Sequence, residues 1–195
     1  EPLIRKAAGL GSLSLSNSSR NSVKGFLHCD VLIIGSGPSG LVSAYIAGLS
    51  GAKVILVEED FVFGGSLNNE TFTISDMPTQ DWIKFILKEL NELTNVRLMK
   101  RTEIIGMFDH GIFAAIEKNK YKKIDQIFWK ITTKKTLLCS GSTERLIPFQ
   151  NNDLPGIMLS NSIRSFTNRW GIKSFKRVIL FTNNDDAYLT AINLI

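Results

Sequence analysis

Two short apolar runs separated by a helical pattern occupy residues 29–60. The runs at residues 31–34 and 54–57 are continuous and rich in β-branched side chains, which is typical of strands buried on both faces of a parallel sheet. Between them, small and apolar residues from position 41 to position 48 recur at helical spacing. The pattern therefore predicts a βαβ unit whose helix packs closely on two parallel strands.

The periodicity beyond this unit predicts one more helix and several strands. An amphipathic helix is predicted over residues 79–94, with an apolar face formed by Trp82, Phe85, Ile86, Leu90 and Leu93. Predicted strands follow at residues 96–99, 103–108, 112–117, 127–132 and 136–141. The middle three form an antiparallel meander, and the last is expected to be a buried strand. The predicted fold is therefore α/β, a Rossmann-like parallel sheet with an inserted antiparallel β-meander.

The last part of the chain predicts the start of a second Rossmann-like domain. Residues 177–182 form another apolar run, but Asn-Asn-Asp-Asp at residues 183–186 stands where a glycine loop is expected. Two carboxylates there would repel a pyrophosphate, so we predict that this second unit binds no nucleotide. The chain starts without methionine and stops inside a predicted helix, which suggests a fragment. The predicted divisions are a linker at 1–27, a dinucleotide-binding domain at 28–145, a crossover at 146–172 and a truncated second unit at 173–195.

The turn after the first predicted strand carries the candidate chemistry. Gly35, Gly37 and Gly40 have the G-x-G-x-x-G spacing, which permits a tight turn, close backbone approach to a pyrophosphate and close packing of helix on sheet. The amino terminus of the following helix suits a diphosphate, because its N–H groups lack partners. Glu58 ends the second strand, where a carboxylate accepts hydrogen bonds from ribose hydroxyls and repels a 2′-phosphate. These residues predict a site for NAD or FAD in preference to NADP.

Two further glycine positions are candidates for the same site. Gly64 and Gly65 follow directly after the acidic end of the second strand, where they either bring backbone over the cofactor or form a simple turn. Gly141 ends the predicted strand at 136–141, which should return to the sheet near the cofactor.

Composition narrows the function classes. The formal net charge of +5 comes largely from lysines between positions 118 and 135, which alternate with apolar residues and indicate a solvated hairpin rather than a nucleic-acid surface. No apolar run approaches the roughly 18–20 residues that span a bilayer. Cys29 and Cys139 lie in apolar, strand-like settings, which favours buried reduced thiols and a cytoplasmic location.

The chain offers few catalytic candidates. No C-x-x-C pair occurs, which excludes the thiol relay of a disulfide reductase. His28 has no further ligand at metal spacing, so we predict neither a metal site nor a catalytic residue in this segment. His110 lies beside Asp109, which could orient it, although turn formation also explains Asp-His-Gly. Glu144, Arg145 and Asp153 either contact a cofactor or an adjoining subunit or form a local ion pair.

The order of these parts resembles the two-dinucleotide-binding-domain oxidoreductases, the pyridine nucleotide–disulfide oxidoreductase superfamily. The resemblance is carried by GSGPSG at 35–40, the acid-ended second strand, the β-meander and LLCSG at 137–141. Only the final glycine of that last motif follows the superfamily's pattern.

A closer resemblance covers nearly the whole chain and is to the α subunit of heterotetrameric sarcosine oxidase. It is carried by EPLIRKAAGLG, HCDVLIIGSGPSG, GGSL at 64–67, RTEIIGMFDHG, SGSTERLIPFQNNDLPGIMLSNSIRSFTNRWGI and VILFTNNDDAY. In that family the α subunit holds NAD in the domain that these blocks cover, while the flavins that oxidise sarcosine belong to the smaller β subunit and its interface.

The resemblance implies an NAD-binding, largely non-catalytic segment of a multi-subunit flavoenzyme that oxidatively demethylates an N-methyl amino acid with oxygen as acceptor. The alternative is an FAD-binding domain that transfers hydride itself, and a third reading is a scaffold that only organises partners. The expected partners are other subunits of a hetero-oligomeric amine oxidase. By match to the family's pattern, the residues expected to bind NAD are Gly35, Gly37, Pro38, Ser39, Gly40, Glu58, Glu59, Ser66 and Ile104. Asp60 stands where some relatives carry a basic residue.

Overall fold

The computed structural model describes residues 21–118, 123–172 and 175–195. Eight strands occur in these residues: β1 Ser22–Ile34, β2 Val54–Val57, β3 Thr73–Ile74, β4 Met77–Pro78, β5 Val96–Met99, β6 Thr102–Phe108, β7 Ile112–Lys118 and β8 Gln126–Leu138. The α-helices are α1 Pro38–Leu49, α2 Thr79–Glu92, α3 Ser160–Arg164 and α4 Asp186–Leu194. Short 3₁₀ turns lie at Gly65–Asn69 and Asp109–Gly111, and a π-helical turn at Ser165–Arg169 continues α3.

Six strands form one mixed sheet in the order β5-β2-β1-β8-β7-β6. The first four pair in parallel, and β8, β7 and β6 pair antiparallel. The predicted α/β fold, a Rossmann-like parallel sheet joined to an antiparallel β-meander, is confirmed. From β1 the chain runs to β2 and β5 on one side, while β8 lies on the other. The carboxyl end of β1 is therefore a topological switch point, where ligands bind in open α/β sheets.

The two strands predicted at 127–132 and 136–141 are one continuous strand, β8. It runs parallel to β1 from the pair Ser22–Gln126 to the pair Ile34–Leu138. The predicted break was wrong because residues 132–135, although polar, continue the ladder with β1, in which Thr133 pairs with Cys29 and Lys135 with Val31. Leu138, predicted to be buried, is 74% exposed.

The first strand also begins earlier than the sequence indicated. β1 starts at Ser22, inside the predicted linker, and pairs with β8 through the Lys24–Phe128 and Phe26–Lys130 positions. From Gly25 to Cys29, exposed positions alternate with half-buried or buried ones, but Phe26 at an exposed position hides the pattern in the sequence. The rest of the predicted linker, residues 1–20, lies outside the described residues.

Each face of the sheet has its own apolar cluster. One cluster joins α1 and α2 to the sheet through Ile33, Leu41, Leu56, Ile86 and Leu90. The other lies on the opposite face. Its buried members are Cys29, Leu32, Ile55, Val57, Met99, Phe113, Ala115 and Ile131. Both faces of β1 and β2 are thus covered, as their continuous apolar runs predicted.

The amphipathic helix is confirmed as α2, with a slightly rotated apolar face. Trp82, Ile86 and Leu90 are buried as predicted, but Phe85 is 47% exposed and Ile83 is buried in its place. Successive helical residues are separated by 100°, so Ile83 is adjacent to the row formed by positions 82, 86 and 90 and Phe85 is not.

The strand predicted at residues 177–182 is not formed in the part of the chain that the structure describes. These residues pair with no described strand, and Ile179 and Phe181 are 86% and 67% exposed. A parallel strand exists only when a neighbour accepts its backbone hydrogen bonds, and an apolar run by itself does not supply one. The predicted helix after it does form as α4, and the Asn184 side chain accepts a hydrogen bond from the Asp186 N–H at 3.1 Å.

Candidate dinucleotide-binding site

The first and third glycines of the loop are required by close packing of backbone. Gly35 has φ +98°, and a Cβ there would lie 2.3 Å from the carbonyl oxygen of Cys139, which follows β8. A Cβ on Gly40 would lie 1.9 Å from the carbonyl oxygen of Gly35. Any side chain at either position would displace the loop, so these glycines hold β1, α1 and the end of β8 together.

The middle glycine faces open space instead. A Cβ on Gly37 would meet no atom within 4 Å, and its backbone has φ −62° and ψ −177°, which any residue adopts. Gly37 is the N-cap of α1, Pro38 is at the first helical position, and no side chain caps the helix. The N–H groups of the first turn have no partner within the helix, and they lie beside this open position. The geometry fits a pyrophosphate, which needs backbone donors and the absence of a side chain.

Glu58 is buried, and its carboxylate is held by the glycine loop. Its Oε2 accepts hydrogen bonds from the Ser36 N–H at 2.9 Å and from the Ser36 hydroxyl at 2.6 Å, while Oε1 accepts from the Asp60 N–H at 2.9 Å. Ser36 is fully buried and Glu58 is 7% exposed. Because a carboxylate oxygen has two lone pairs, Oε1 keeps the capacity to accept one more donor, such as a ribose hydroxyl.

The second glycine pair packs directly on the first loop. The Gly64 N–H donates to the carbonyl oxygen of Ser36 at 3.1 Å and to its hydroxyl at 3.2 Å. A Cβ on Gly65, whose φ is +54°, would lie 2.9 Å from the Gly37 Cα. Residues 64–65 therefore bring a second backbone segment beside the open position at Gly37.

Most of the sequence-predicted residues meet at this edge of the sheet. Gly35, Gly37, Gly40, Glu58 and Gly65 are linked by the contacts described above. Exposed residues at the same loops are Pro38, Ser39, Glu59, Ser66 and, after β8, Gly141. Ile104 is different, because it is half-buried in β6 and packs against the second apolar cluster.

An ion pair that the sequence did not predict lies next to Glu58. Arg169 donates to both carboxylate oxygens of Asp60, at 2.7 and 3.0 Å, across 109 positions of sequence. The Arg169 guanidinium also lies over the Phe61 ring at 5.0 Å and the Trp170 ring at 4.9 Å. Burial raises the pKa of Asp60, but hydrogen bonds from Arg169 and the Phe61 N–H and the guanidinium charge outweigh it, so the pKa is lowered overall. No local pattern reveals this pair, since only the tertiary fold brings residue 169 to residue 60.

The contacts of the other candidates from the sequence are explained by structural roles. The Glu144 carboxylate accepts hydrogen bonds from the N–H groups of Ser160 and Asn161 at 3.1 and 2.9 Å, so it caps the amino terminus of α3. His110 is exposed and has φ +61° in the tight turn between β6 and β7. Asp186, in the segment predicted to exclude nucleotide, pairs with Arg164 at 3.0 Å.

Two surface depressions of the described residues lie away from the glycine loop. One, of about 410 Å³, is at the amino ends of β2 and β5. The other, of about 790 Å³, lies between residues 61–62, the start of α2 and residues 167–170. The candidate pyrophosphate position is therefore defined by backbone geometry and buried polar contacts.

Comparison with known proteins decides the family. Residues 30–136, which include the glycine loop, Glu58 and the β-meander, match the family described as FAD dependent oxidoreductase. The chain belongs to this family. Membership of the FAD dependent oxidoreductases agrees with the dinucleotide-binding fold, and the family description favours FAD, the alternative in the sequence prediction, over NAD.

Matches over nearly the whole of this FAD dependent oxidoreductase chain are to proteins named sarcosine oxidase subunit alpha. It is 37% identical over 199 residues to sarcosine oxidase subunit alpha of Rhizobium meliloti (strain 1021), covering 98% of this chain. It is 33% identical over 190 residues to the protein of the same name from Corynebacterium sp. (strain P-1), covering 92% of this chain. The chain spans 20% of the length of each of these relatives. The resemblance to sarcosine oxidase α subunits is thus confirmed.

A solved structure shows the same fold. L-proline dehydrogenase from P. horikoshii superposes with a TM-score of 0.64 at 24% identity, covering 76% of this chain and 30% of that one. This likeness supports the architecture of the FAD dependent oxidoreductase domain. None of the helices formed by the described residues has the length and apolarity needed to cross a membrane.

Proposed function

We propose that this chain forms the dinucleotide-binding domain of a flavin-dependent amine oxidoreductase and that the dinucleotide is FAD. The observation that carries the proposal is the open position at Gly37, which lies between the amino terminus of α1 and the Gly64–Gly65 backbone. The family description supports FAD as the nucleotide.

In this proposal, backbone groups bind the pyrophosphate and a side chain binds the ribose. The first-turn N–H groups of α1 and the backbone at Gly37 would hold the pyrophosphate. Glu58 would accept a ribose hydroxyl at Oε1, because Ser36 occupies Oε2 and fixes the orientation of the carboxylate. Pro38, Ser39, Glu59, Ser66 and Gly141 would line the surrounding surface, and Ile104 would act through the packing of β6.

The nucleotide itself is the most direct test. The purified chain is denatured, and the released small molecule is identified by mass spectrometry alongside the visible spectrum of the native protein. We expect FAD and the yellow absorbance of a flavin. Release of NAD from a colourless protein would overturn FAD in favour of the nucleotide implied by the sequence resemblance, and release of neither would overturn the whole site.

For the complete protein we propose oxidation of an N-methyl amino acid in a multi-subunit enzyme. The relatives named sarcosine oxidase subunit alpha support this substrate class and the presence of partner subunits. A bound flavin supplies the chemistry, since it accepts two electrons from the CH–NH unit and passes them to oxygen. This chain's residues contribute binding and orientation, and none of the described side chains is assigned a catalytic role.

The activity is tested in the assembled enzyme. Hydrogen peroxide and formaldehyde release are measured with sarcosine, dimethylglycine and a primary amine as control. We expect turnover of the N-methylated substrates only. Absence of peroxide with both methylated amines, in a preparation that carries flavin, would contradict the proposed reaction and leave the nucleotide site standing.

A further inference from the structure

Asp60, two residues after Glu58, binds the guanidinium of Arg169 close to the carboxyl end of β2. Both side chains are largely buried, with 28% of Asp60 and 18% of Arg169 exposed. Glu58 and Asp60 are linked directly, because the Asp60 N–H donates to Glu58 Oε1 at 2.9 Å. Through Asp60, the guanidinium is therefore linked to the carboxylate that we propose for the adenosine ribose.

An arginine near a ribose-binding strand end has a known chemical consequence. In dinucleotide-binding folds, a nearby guanidinium accommodates the 2′-phosphate of NADP by forming two parallel hydrogen bonds. In this chain the Nη1 and Nη2 groups of Arg169 donate to Asp60. The ring faces of Phe61 and Trp170 lie within 5.0 Å of the same guanidinium and hold it in place. The donors that would bind a phosphate are thus engaged by a carboxylate.

The surrounding charges add to this effect. Glu58 and the exposed Glu59 carry negative charge at the same strand end, and the Arg101 guanidinium also lies over the Phe61 ring, at 5.4 Å. With Asp60 and Arg169 included, this strand end carries three carboxylates and two guanidinium groups, a net charge of −1. Neutralising Asp60 balances the two signs and frees the donors of Arg169.

We infer that Asp60 is a specificity-determining positioning residue that occupies Arg169 and thereby excludes 2′-phosphorylated dinucleotides from the site. The inference rests on the proposed dinucleotide function. It adds a second mechanism to the repulsion by Glu58, and it acts through a residue of the crossover segment rather than through the βαβ unit itself.

The test compares ADP-ribose with 2′-phospho-ADP-ribose, two probes that differ only in the 2′-phosphate. Binding of each to the nucleotide-stripped chain is measured by calorimetry for the unaltered protein, Asp60→Asn, Arg169→Gln and the double variant. We expect Asp60→Asn to shift the ratio of the two dissociation constants toward the phosphorylated probe by about tenfold, from the removal of one charge at close range. We expect the double variant to lose most of that shift, because the freed guanidinium is absent.

A matched control separates this effect from a change in net charge. Asp30 pairs with Lys134 at 2.7 Å and accepts from the Lys53 N–H, before the opposite end of β2. Asp30→Asn changes the net charge equally and should leave the ratio unchanged. A purely structural role for Asp60 would weaken both probes equally.

The outcomes are distinct. An unchanged ratio in Asp60→Asn, loss of both probes in that variant alone, or a shift that persists in the double variant would each overturn the role of the pair. If the unaltered chain binds neither probe, the dinucleotide function itself fails, and the inference fails with it.

Discussion

Gly37 and Gly40 are three positions apart in one loop, yet a side chain would meet different surroundings at each. The Gly40 position is filled by the Gly35 carbonyl, whereas the Gly37 position is open. The backbone of Gly37 has an ordinary negative φ, so its glycine is not required by conformation. The requirement for glycine at position 40 comes from the fold, and we propose that the requirement at position 37 comes from the ligand.

This difference predicts opposite phenotypes. Gly37→Ala should leave the thermal midpoint within a few degrees of the original and lower nucleotide binding at least tenfold, because the added methyl blocks the pyrophosphate. Gly40→Ala should lower the midpoint, because the loop must move to relieve the contact. Thermal denaturation and nucleotide titration measure the two effects, and an equal loss of stability in both variants would contradict the division.

Ser36 is the second residue whose role is visible only in three dimensions. Its hydroxyl donates to buried Glu58 and accepts from the Gly64 N–H, so one side chain joins the two glycine segments.

Replacement of Ser36 by alanine should destabilise the chain by about 1–3 kcal/mol, because it leaves part of a buried carboxylate without a donor. Nucleotide affinity should fall as well, since Glu58 loses its fixed orientation. Urea denaturation measures the first effect and titration the second. Ser39→Ala, at an exposed position of the same loop, is the control and should leave stability unchanged.

At the scale of elements, α2 shows how a predicted helix acquires its packing face. The apolar spacing predicted the helix, and its contacts with the sheet fixed which residues are buried. Leu90 is fully buried in the cluster that joins α1 and α2 to the sheet, whereas Phe85 is 47% exposed.

Leu90→Ala should therefore lower the free energy of unfolding by about 2–5 kcal/mol, the cost of a cavity in a packed core. Phe85→Ala, although it removes a larger side chain, should cost under about 1 kcal/mol. Chemical denaturation of both variants checks the order, and a cost for Phe85→Ala as large as that for Leu90→Ala would mean that Phe85 is also buried, as the sequence predicted.

At the scale of the molecule, ion pairs tie the crossover and carboxyl-terminal segments to the βαβ unit. Arg169 holds Asp60, and buried Arg164 pairs with Asp186 and lies 3.6 Å from Glu70. Among the described residues, the segments that these ion pairs join share no sheet hydrogen bonds. The stability of their attachment therefore depends on the charges of the paired side chains.

The lowered pKa of Asp60 gives this dependence a direction. A carboxyl group whose pKa is depressed in the folded state stabilises the protein fully above its unfolded pKa of about 3.9, and this stabilisation is lost as pH falls through the folded value. The loss of stability between pH 7 and pH 3 should therefore be smaller in Asp60→Asn than in the unaltered chain.

Urea denaturation at the two pH values measures the difference. Arg169→Gln should reduce the pH-dependent component in the same way, because it removes the partner that lowers the pKa. Glu70, whose pKa burial raises, contributes with the opposite sign but is present in all three proteins and cancels in the comparison. Identical pH dependence in all three would mean that the pair contributes nothing to stability.

The sequence by itself determined the βαβ unit, the glycine spacing, Glu58 at the strand end, the meander and the family. These features depend on local periodicity and on short motifs, in which each residue type is selected by its own backbone or its own strand. The glycine motif did not separate FAD from NAD, because both present the same adenosine and pyrophosphate to the loop. The sequence resemblance led us to predict NAD, whereas the family description favours the alternative, FAD.

Tertiary structure decided what depends on contacts between distant segments. The continuity of β8 with the sheet, the absence of a strand at residues 177–182, and the rotation of the α2 face each depend on what lies beside the element. The Ser36–Glu58–Gly64 network and the Asp60–Arg169 pair join positions 22 to 109 residues apart. Hydrogen bonds and ion pairs of this kind carry no local periodic signal, so only the folded chain shows which partners meet.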